Sequence, residues 1–327
     1  MNFRKRVMKR LVSTMKQWGN DKCFSTRYAA YRVIDELGGR IGLNSLSQSY
    51  HEKKDQYIIS YLEKNLDPVI AKYKNEDSPG AKQDNAPVWV CWWTGLDNAP
   101  KLVKQCVKST KARAGGHPVI LITEKNVSKY LDIPPYFLEK HRSGKMLTAH
   151  LCDYIRIALL EKYGGLWLDA TIFCASDIPE EYFEYPFFTS KSAWRESRYL
   201  SHYQWTTFCI GGRKGNTVFG FLKDSFEKYW LNNDSAIDYL FFDHLIFIGR
   251  KHISAIRIYM DAVPENTPHR DDLQAAMNAM LPAEEFWNVI QNDTPIYKLS
   301  WRETYSEMTP DGKQSVYGWF LSQESFC

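Results

Sequence analysis

Asp153 and Arg156 stand three residues apart in a stretch whose other members are Leu151, Cys152, Tyr154, Ile155, Ile157 and Ala158. On a helix such a spacing shares a face, so a carboxylate and a guanidinium are presented side by side. On a solvated surface this would be an ordinary ion pair. Among apolar and aromatic neighbours it must be buried or lie at the lip of a site, and there it needs a partner. Asp169 follows the apolar run Leu166-Trp-Leu168 and precedes Ala170 and Thr171. A carboxylate closing a buried strand is costly unless it meets a cation, a hydroxyl or a backbone cluster. Sugar hydroxyls, ribose hydroxyls or a Mg²⁺ or Mn²⁺ bridging a diphosphate would each serve. The competing reading is a turn or helix-capping aspartate. Trp92 and Trp93 end another apolar run, where one ring can enter the core while the other faces a ligand edge. Stacking of such a ring on a nucleobase is worth about 1–3 kcal/mol.

The elements that must position these residues follow from hydrophobic period and punctuation. Val88 to Trp93 is a short run of β-formers that fits a buried strand. A helix is predicted from about Ala99 to Lys111, ending at Gly115-Gly116, and a second buried strand over Pro118 to Thr123. A further helix over Lys145 to Tyr163 carries Leu147, Leu151, Ile155, Ala158 and Leu159 on its core face and stops at Gly164-Gly165. One strand over Leu166 to Phe173 comes next. The alternation predicts an α/β fold with a parallel, doubly wound, Rossmann-like sheet, whose ligands gather at the carboxyl ends of the strands. Downstream, Trp205 to Ile210 reads as a strand and Asn216 to Tyr229 and Ala236 to Ile248 as helices; from Thr294 onward no period is clear. Upstream, residues 1–80 read as a helical appendage, with Gly38-Gly39 as a breaker, a helix near Tyr57 to Tyr73 and a polar loop over Asn75 to Asn85. Residues 81–327 form the main domain.

Composition narrows the class. At 327 residues, 44% hydrophobic and 24% charged, the chain is an ordinary globular protein. Aromatics at 15% favour carbohydrate or nucleotide handling only weakly, because rings fill cores as readily as they stack on ligands. Seven scattered cysteines without a CxxC pair read as reduced thiols of a cytoplasmic protein. No signal-type apolar run is visible, and the stretch Tyr239 to Ile248 is too short to span a bilayer. Residues 1–32 hold nine Lys or Arg against the single Asp21, which leaves about −4 for the remainder. Within 1–18, Phe3, Val7, Met8, Leu11, Val12, Met15 and Trp18 recur at helical spacing among basic residues. That suits either a peripheral helix on an anionic membrane surface or a helix docked on the body. Nucleic acid is not an expected partner, since no groove-reading or stacking module follows. Nor is there a Cys/His cluster, a G-x-S-x-G or a G-x-G-x-x-G after a strand.

The stretch Asp153-Tyr-Ile-Arg-Ile-Ala-Leu-Leu-Glu-Lys-Tyr-Gly-Gly-Leu-Trp-Leu-Asp-Ala-Thr171 resembles the signature of the capsular polysaccharide synthesis proteins, relatives of glycosyltransferase family 32 and, more distantly, of the glucosylating clostridial toxins. The likeness runs more loosely from about Pro87 to Trp301, through Trp92-Trp93, Phe208 to Asn216, Phe242-Asp-His-Leu245 and Tyr297-Lys-Leu-Ser-Trp301. It implies a GT-A type fold and a retaining glycosyltransferase that moves a sugar from a nucleotide-sugar donor, a UDP-sugar, to a glycan or lipid-linked acceptor in capsular or exopolysaccharide synthesis. Asp153 and Arg156 would hold the donor sugar, Asp169 would contact ribose, sugar or metal-bound water, Trp92 or Trp93 would cover the base, and Lys298 and Trp301 would reach the diphosphate. The second acid of the Asp-x-Asp motif, the usual ligand of Mn²⁺ or Mg²⁺, is here Thr171, which puts metal dependence in question. Without the metal, Arg156, Lys298 and an additional cation such as Arg213 must offset the charge of the leaving diphosphate. Were the enzyme inverting, Asp243 is the candidate base, unless it is a helix-surface acid beside His244. Two other classes remain: a catalytically silent sugar-nucleotide- or glycan-binding subunit, and a sugar-phosphate transferase.

Overall fold

The computed structural model describes residues 18, 19, 21–280, 290 and 293–323. The basic amphipathic helix expected over 1–18 therefore falls almost wholly outside the described residues, as does Cys327. The chain opens with α1 (Thr26–Arg40) and α2 (Asn44–Tyr73). Gly38-Gly39, read as a breaker, lies inside α1. A Cβ on Gly38 would meet Ser47 of α2 at 3.3 Å, and the Ser47 hydroxyl donates to the Asp35 carboxylate, so the pair serves close helix approach. The turn itself falls at Gly42, with φ of 80°.

Next come β1 (Val88–Cys91), α3 (Lys101–Ala112), β2 (Val119–Ile122), α4 (Pro135–Arg142), α5 (Thr148–Tyr163) and β3 (Gly165–Leu168). β1 pairs in parallel with both β2 and β3, as the strand–helix alternation predicts. The α5-to-β3 break requires its glycines. Gly165 has φ of 95°, and a Cβ there would stand 2.1 Å from the Pro87 carbonyl oxygen, so only glycine lets β3 close against the start of β1.

The parallel pattern ends at β3. The strand expected over Leu166 to Phe173 is two strands: β3, and then β4 (Ile172–Cys174) after a turn in which the Ile172 amide donates to the Asp169 carbonyl at 2.9 Å. β5 (Phe187–Thr189) and β6 (Cys209–Gly212) complete a sheet of order β2-β1-β3-β6-β5, with β6 antiparallel to both neighbours. A loop rather than a crossover helix joins β5 to β6, and such a connection reverses strand direction.

α6 (Thr217–Asn232), α7 (Phe241–His252), α8 (Ser254–Asp261) and α9 (Asp272–Ala276) follow. α7 begins five residues later than expected because the Asp238 carboxylate accepts from the Leu240 amide and holds 238–240 in a turn. The tail has structure that its sequence hides: β7 (Ile296–Lys298) pairs antiparallel with β4, and α10 (Val316–Ser322) follows.

One core cluster joins Tyr28, Ile58, Leu62 and Leu66 of α1 and α2 to Trp89, Leu151, Ile155, Phe219, Phe226 and Leu245. α5 runs through it and is buried on nearly every side from His150 to Leu160. Each fully buried leucine or isoleucine there contributes about 1.5–3 kcal/mol over exposure. That burial brings Asp153 and Arg156 into a low-dielectric interior.

Candidate active site

Parallel pairing sets β1 and β3 side by side with their carboxyl ends at one edge. Trp92 and Trp93 leave β1 there, and Asp169 leaves β3. The turn between β3 and β4 then aims Thr171 at β7, whose Lys298 is the register partner of Ile172. A cavity of about 640 Å³ opens along this edge, lined among others by Asp153, Arg156, Asp169, Thr171, Lys298 and Trp301.

A chain of alternating charge crosses its floor. Arg156, with a side chain 6% exposed, places one terminal nitrogen 3.2 Å from Asp153 Oδ1 and 3.3 Å from Asp169 Oδ1. Its other terminal nitrogen donates to the Thr207 carbonyl, and its plane lies 4.8 Å from the Trp167 ring centroid. Asp169 Oδ1 also accepts from the Trp167 indole at 3.0 Å. On the far side Lys298 Nζ donates to Asp169 Oδ2 at 3.0 Å and to the Thr171 hydroxyl oxygen at 2.6 Å.

The three carboxyls respond differently. Burial pushes Asp169 up, but Lys298 and Arg156 together outweigh it and hold the group below the usual carboxylate range. Burial pushes Asp153 up to about 7 despite Arg156, with the charges of Asp169 and Asp243 adding to the rise. Asp243, in the first turn of α7, accepts from the Trp205 indole at 3.1 Å, and burial pushes it up to about 6 against the pull of His244. The cluster thus carries two fixed cations against one firmly ionised acid and two acids that titrate near neutrality.

These groups do not suit a divalent ion. A metal at the motif needs oxygen ligands free of competing cations. Here the Lys298 ammonium occupies the bridging position between Asp169 and Thr171, Asp153 is engaged by Arg156, and no group of three metal-capable His, Cys, Asp or Glu side chains exists among the described residues.

The residues singled out from sequence converge here. Trp92, Trp93, Asp153, Arg156, Asp169, Thr171, Asp243, Lys298 and Trp301 all line the one cavity. Trp92 and Trp301 form an edge-to-face corner at 5.9 Å, and Trp301 remains 46% exposed, which leaves ring surface for a flat ligand. Trp93 instead meets His141 edge-to-face at 6.0 Å. Asp243 is no helix-surface acid, since it faces the cavity; His244 donates from Nδ1 to the Leu240 carbonyl instead of capping it.

Arg213 is the exception and must be withdrawn from the site. β6 is antiparallel to β3, so Cys209 pairs with Leu168 at the ligand edge and Gly212 with Gly165 at the opposite one. Arg213 follows Gly212 and donates to the Glu184 carbonyl there.

Trp167, Thr207 and Arg302 belong to the cavity and escaped sequence reasoning. Trp167 had a signal, because positions two apart on a strand share a face and Trp167 is two before Asp169. Thr207 acts through its carbonyl, which no residue type announces. A second cavity, reached past Asp243, is partly walled by His51, Lys54 and Asp55 of α2, a region with no specific motif.

The chain belongs to the capsular polysaccharide synthesis protein family, whose model matches residues 40–318. Among curated proteins it is similar to O-glycosyltransferase braB of Annulohypoxylon truncatum, 29% identical over 121 residues that cover 34% of this chain and 28% of that protein. It is also similar to O-glycosyltransferase PaGT of Phomopsis amygdali, 24% identical over 167 residues, 46% of this chain and 40% of that protein. The chain thus spans less than half the length of these relatives. A solved structure, PaToxG Glycosyltransferase, aligns at a TM-score of 0.34 and 14% identity, over 64% of this chain and 86% of that one.

Proposed function

We propose that this protein is a GT-A type glycosyltransferase that moves a hexosyl group from a nucleoside diphosphate sugar, with uridine as the base implied by the family resemblance, to a glycan or lipid-linked acceptor in capsular or exopolysaccharide synthesis. The observation that carries this reading is the Asp153–Arg156–Asp169–Lys298 chain on the floor of a cavity walled by Trp92 and Trp301. Below about pH 6, where Asp153 and Asp243 both take up a proton, the two cations exceed the ionised Asp169 and leave positive charge for a diphosphate. The Trp92–Trp301 corner receives the base, and Asp153 and Asp169 hold sugar or ribose hydroxyls.

In the reaction the bond from the anomeric carbon to the diphosphate oxygen breaks while the acceptor oxygen bonds to that carbon. Lys298 and Arg156 stabilise the charge that collects on the leaving group, a contribution of about 2.7–4 kcal/mol for each well-placed donor. In the retaining course that we favour, the acceptor proton passes to the departing diphosphate, and Asp243 orients the acceptor hydroxyl rather than removing its proton. Both oxygens of Asp169 and one of Asp153 are held by cations, which disfavours either as a covalent nucleophile.

Incubating the full chain with a panel of nucleotide sugars, with and without EDTA, tests the reading. Nucleoside diphosphate release is expected at the same rate in both arms, and NMR of the product reads the anomeric configuration. Release of the monophosphate would identify a sugar-phosphate transferase. Binding without turnover would identify a silent binding subunit. We further propose action at the inner face of the membrane through the basic segment 1–18, which sedimentation with anionic vesicles, with and without that segment, would decide.

A further inference from the structure

The second cavity, about 550 Å³, shares Thr207, Leu240, Asp243 and Gln274 with the donor cavity, so the two adjoin along those residues. Four segments far apart in sequence build it: α2, the loop between β5 and β6, the turn leading into α7, and the start of α9. Its volume lies in the range of small-ligand sites.

Its charges decide what it takes. Four Lys or Arg and four Asp line it, and each cation lies near a carboxylate, Arg195 and Arg270 sharing one. Lys54 lies 3.3 Å from Asp55 and 3.8 Å from Asp238. Arg195 and Arg270 approach Asp271 at 3.9 and 3.8 Å, and Arg198 is paired with Asp35. A phosphate or carboxylate would compete with these carboxylates and meet the repulsion of Asp55, Asp238, Asp243 and Asp271, and a purely apolar ligand would strand the charges without water. What fits is an uncharged molecule with many hydroxyls, which can donate to the carboxylates and accept from the cations, with an apolar ring face against Tyr199 or Trp205.

The loop that carries these rings is held in an uncommon shape. His202 and Tyr203 are successive non-glycine residues in the left-handed region, with φ of 43° and 66°, a conformation shared among the described residues only by Asn85 outside glycine. The Ser192 backbone amide donates to the Tyr203 carbonyl and the Gln204 side-chain amide to the Ser192 carbonyl, which pins it. Strain of this sort concentrates at ligand clamps.

We infer that this cavity is the acceptor subsite and that it binds a neutral saccharide unit, presenting one hydroxyl past Asp243 toward the donor. The role as acceptor subsite rests on the donor reading above; the binding of a neutral sugar does not. The full chain, without donor, is titrated with maltose, cellobiose and lactose, and in parallel with glucuronate and glucose 1-phosphate, following tryptophan fluorescence and heat. The neutral disaccharides are expected to bind more tightly than the two anions. Ser201→Trp, which fills the cavity, and Tyr199→Ala, at a 55% exposed ring, are each expected to weaken that binding about tenfold or more while uridine diphosphate affinity stays unchanged. If Ser201→Trp does not fold, Tyr199→Ala decides. No binding of any neutral disaccharide, tighter binding of the anions, or full affinity in the folded variants overturns the inference. Failure of uridine diphosphate to bind the wild-type chain would instead strike the donor reading.

Discussion

Asp169 answers to two cations at once, and this makes its substitution informative. Asp169→Asn keeps the shape but removes the charge that positions Arg156 and Lys298. Donor turnover should fall by about 100–1,000-fold while the circular dichroism spectrum stays that of the folded chain. Wild-type turnover in that variant would sink the assignment. Asp153 behaves in the opposite sense. Its folded carboxyl titrates near 7 and an unfolded one near 3.8, so between those values the folded chain holds a proton that the unfolded chain has released. Stability therefore falls as pH rises from about 4 to 7, and the deficit persists above that. Asp153→Asn should raise stability at pH 8 by roughly 1–3 kcal/mol and change little at pH 4. Nucleoside diphosphate affinity of the wild type should weaken above pH 7, as Asp153 ionises beside the incoming anion, and calorimetry on Asp153→Asn should find that dependence gone.

The element that matters most is the break between α5 and β3. Gly165 combines a left-handed backbone with a carbonyl oxygen where a Cβ would go, so Gly165→Ala must push β3 off β1. A loss of about 3 kcal/mol or more is expected in chemical denaturation, with expression of soluble chain correspondingly reduced. Turnover of whatever folds should also drop, because the same strand carries Asp169. Unchanged stability would mean that the β1–β3 contact is looser than described. The short turn after β3 has the complementary role. By splitting one expected strand into β3 and β4 it turns Thr171 toward β7, and so brings a lysine 129 positions downstream against Asp169.

At the scale of the whole molecule, α1 and α2 share the central core with α5, α6 and α7. Removing residues 1–80 would uncover the faces that Ile58, Leu62 and Leu66 now fill. The truncated chain is expected to be insoluble or to lack a cooperative thermal transition, and a well-folded, donor-binding 81–327 fragment would refute this. Much of this is legible in the sequence itself. The periods of β1, α3, β2, α5 and β3 predicted a parallel core, because buried runs and glycine punctuation are local properties. The Asp153–Arg156 spacing and the strand-end Asp169 predicted a charged site at its edge, because helix and strand geometry set which residues share a face. The antiparallel half, the withdrawal of Arg213 and the second cavity were not legible. Each depends on strand direction or on packing between segments remote in sequence, and neither leaves a local period. Thr171 shows the division most clearly. That it stands where the motif of the family has an acid is read from the sequence; only the antiparallel pairing of β4 with β7 brings the Lys298 ammonium by register against the Thr171 hydroxyl and the Asp169 carboxylate.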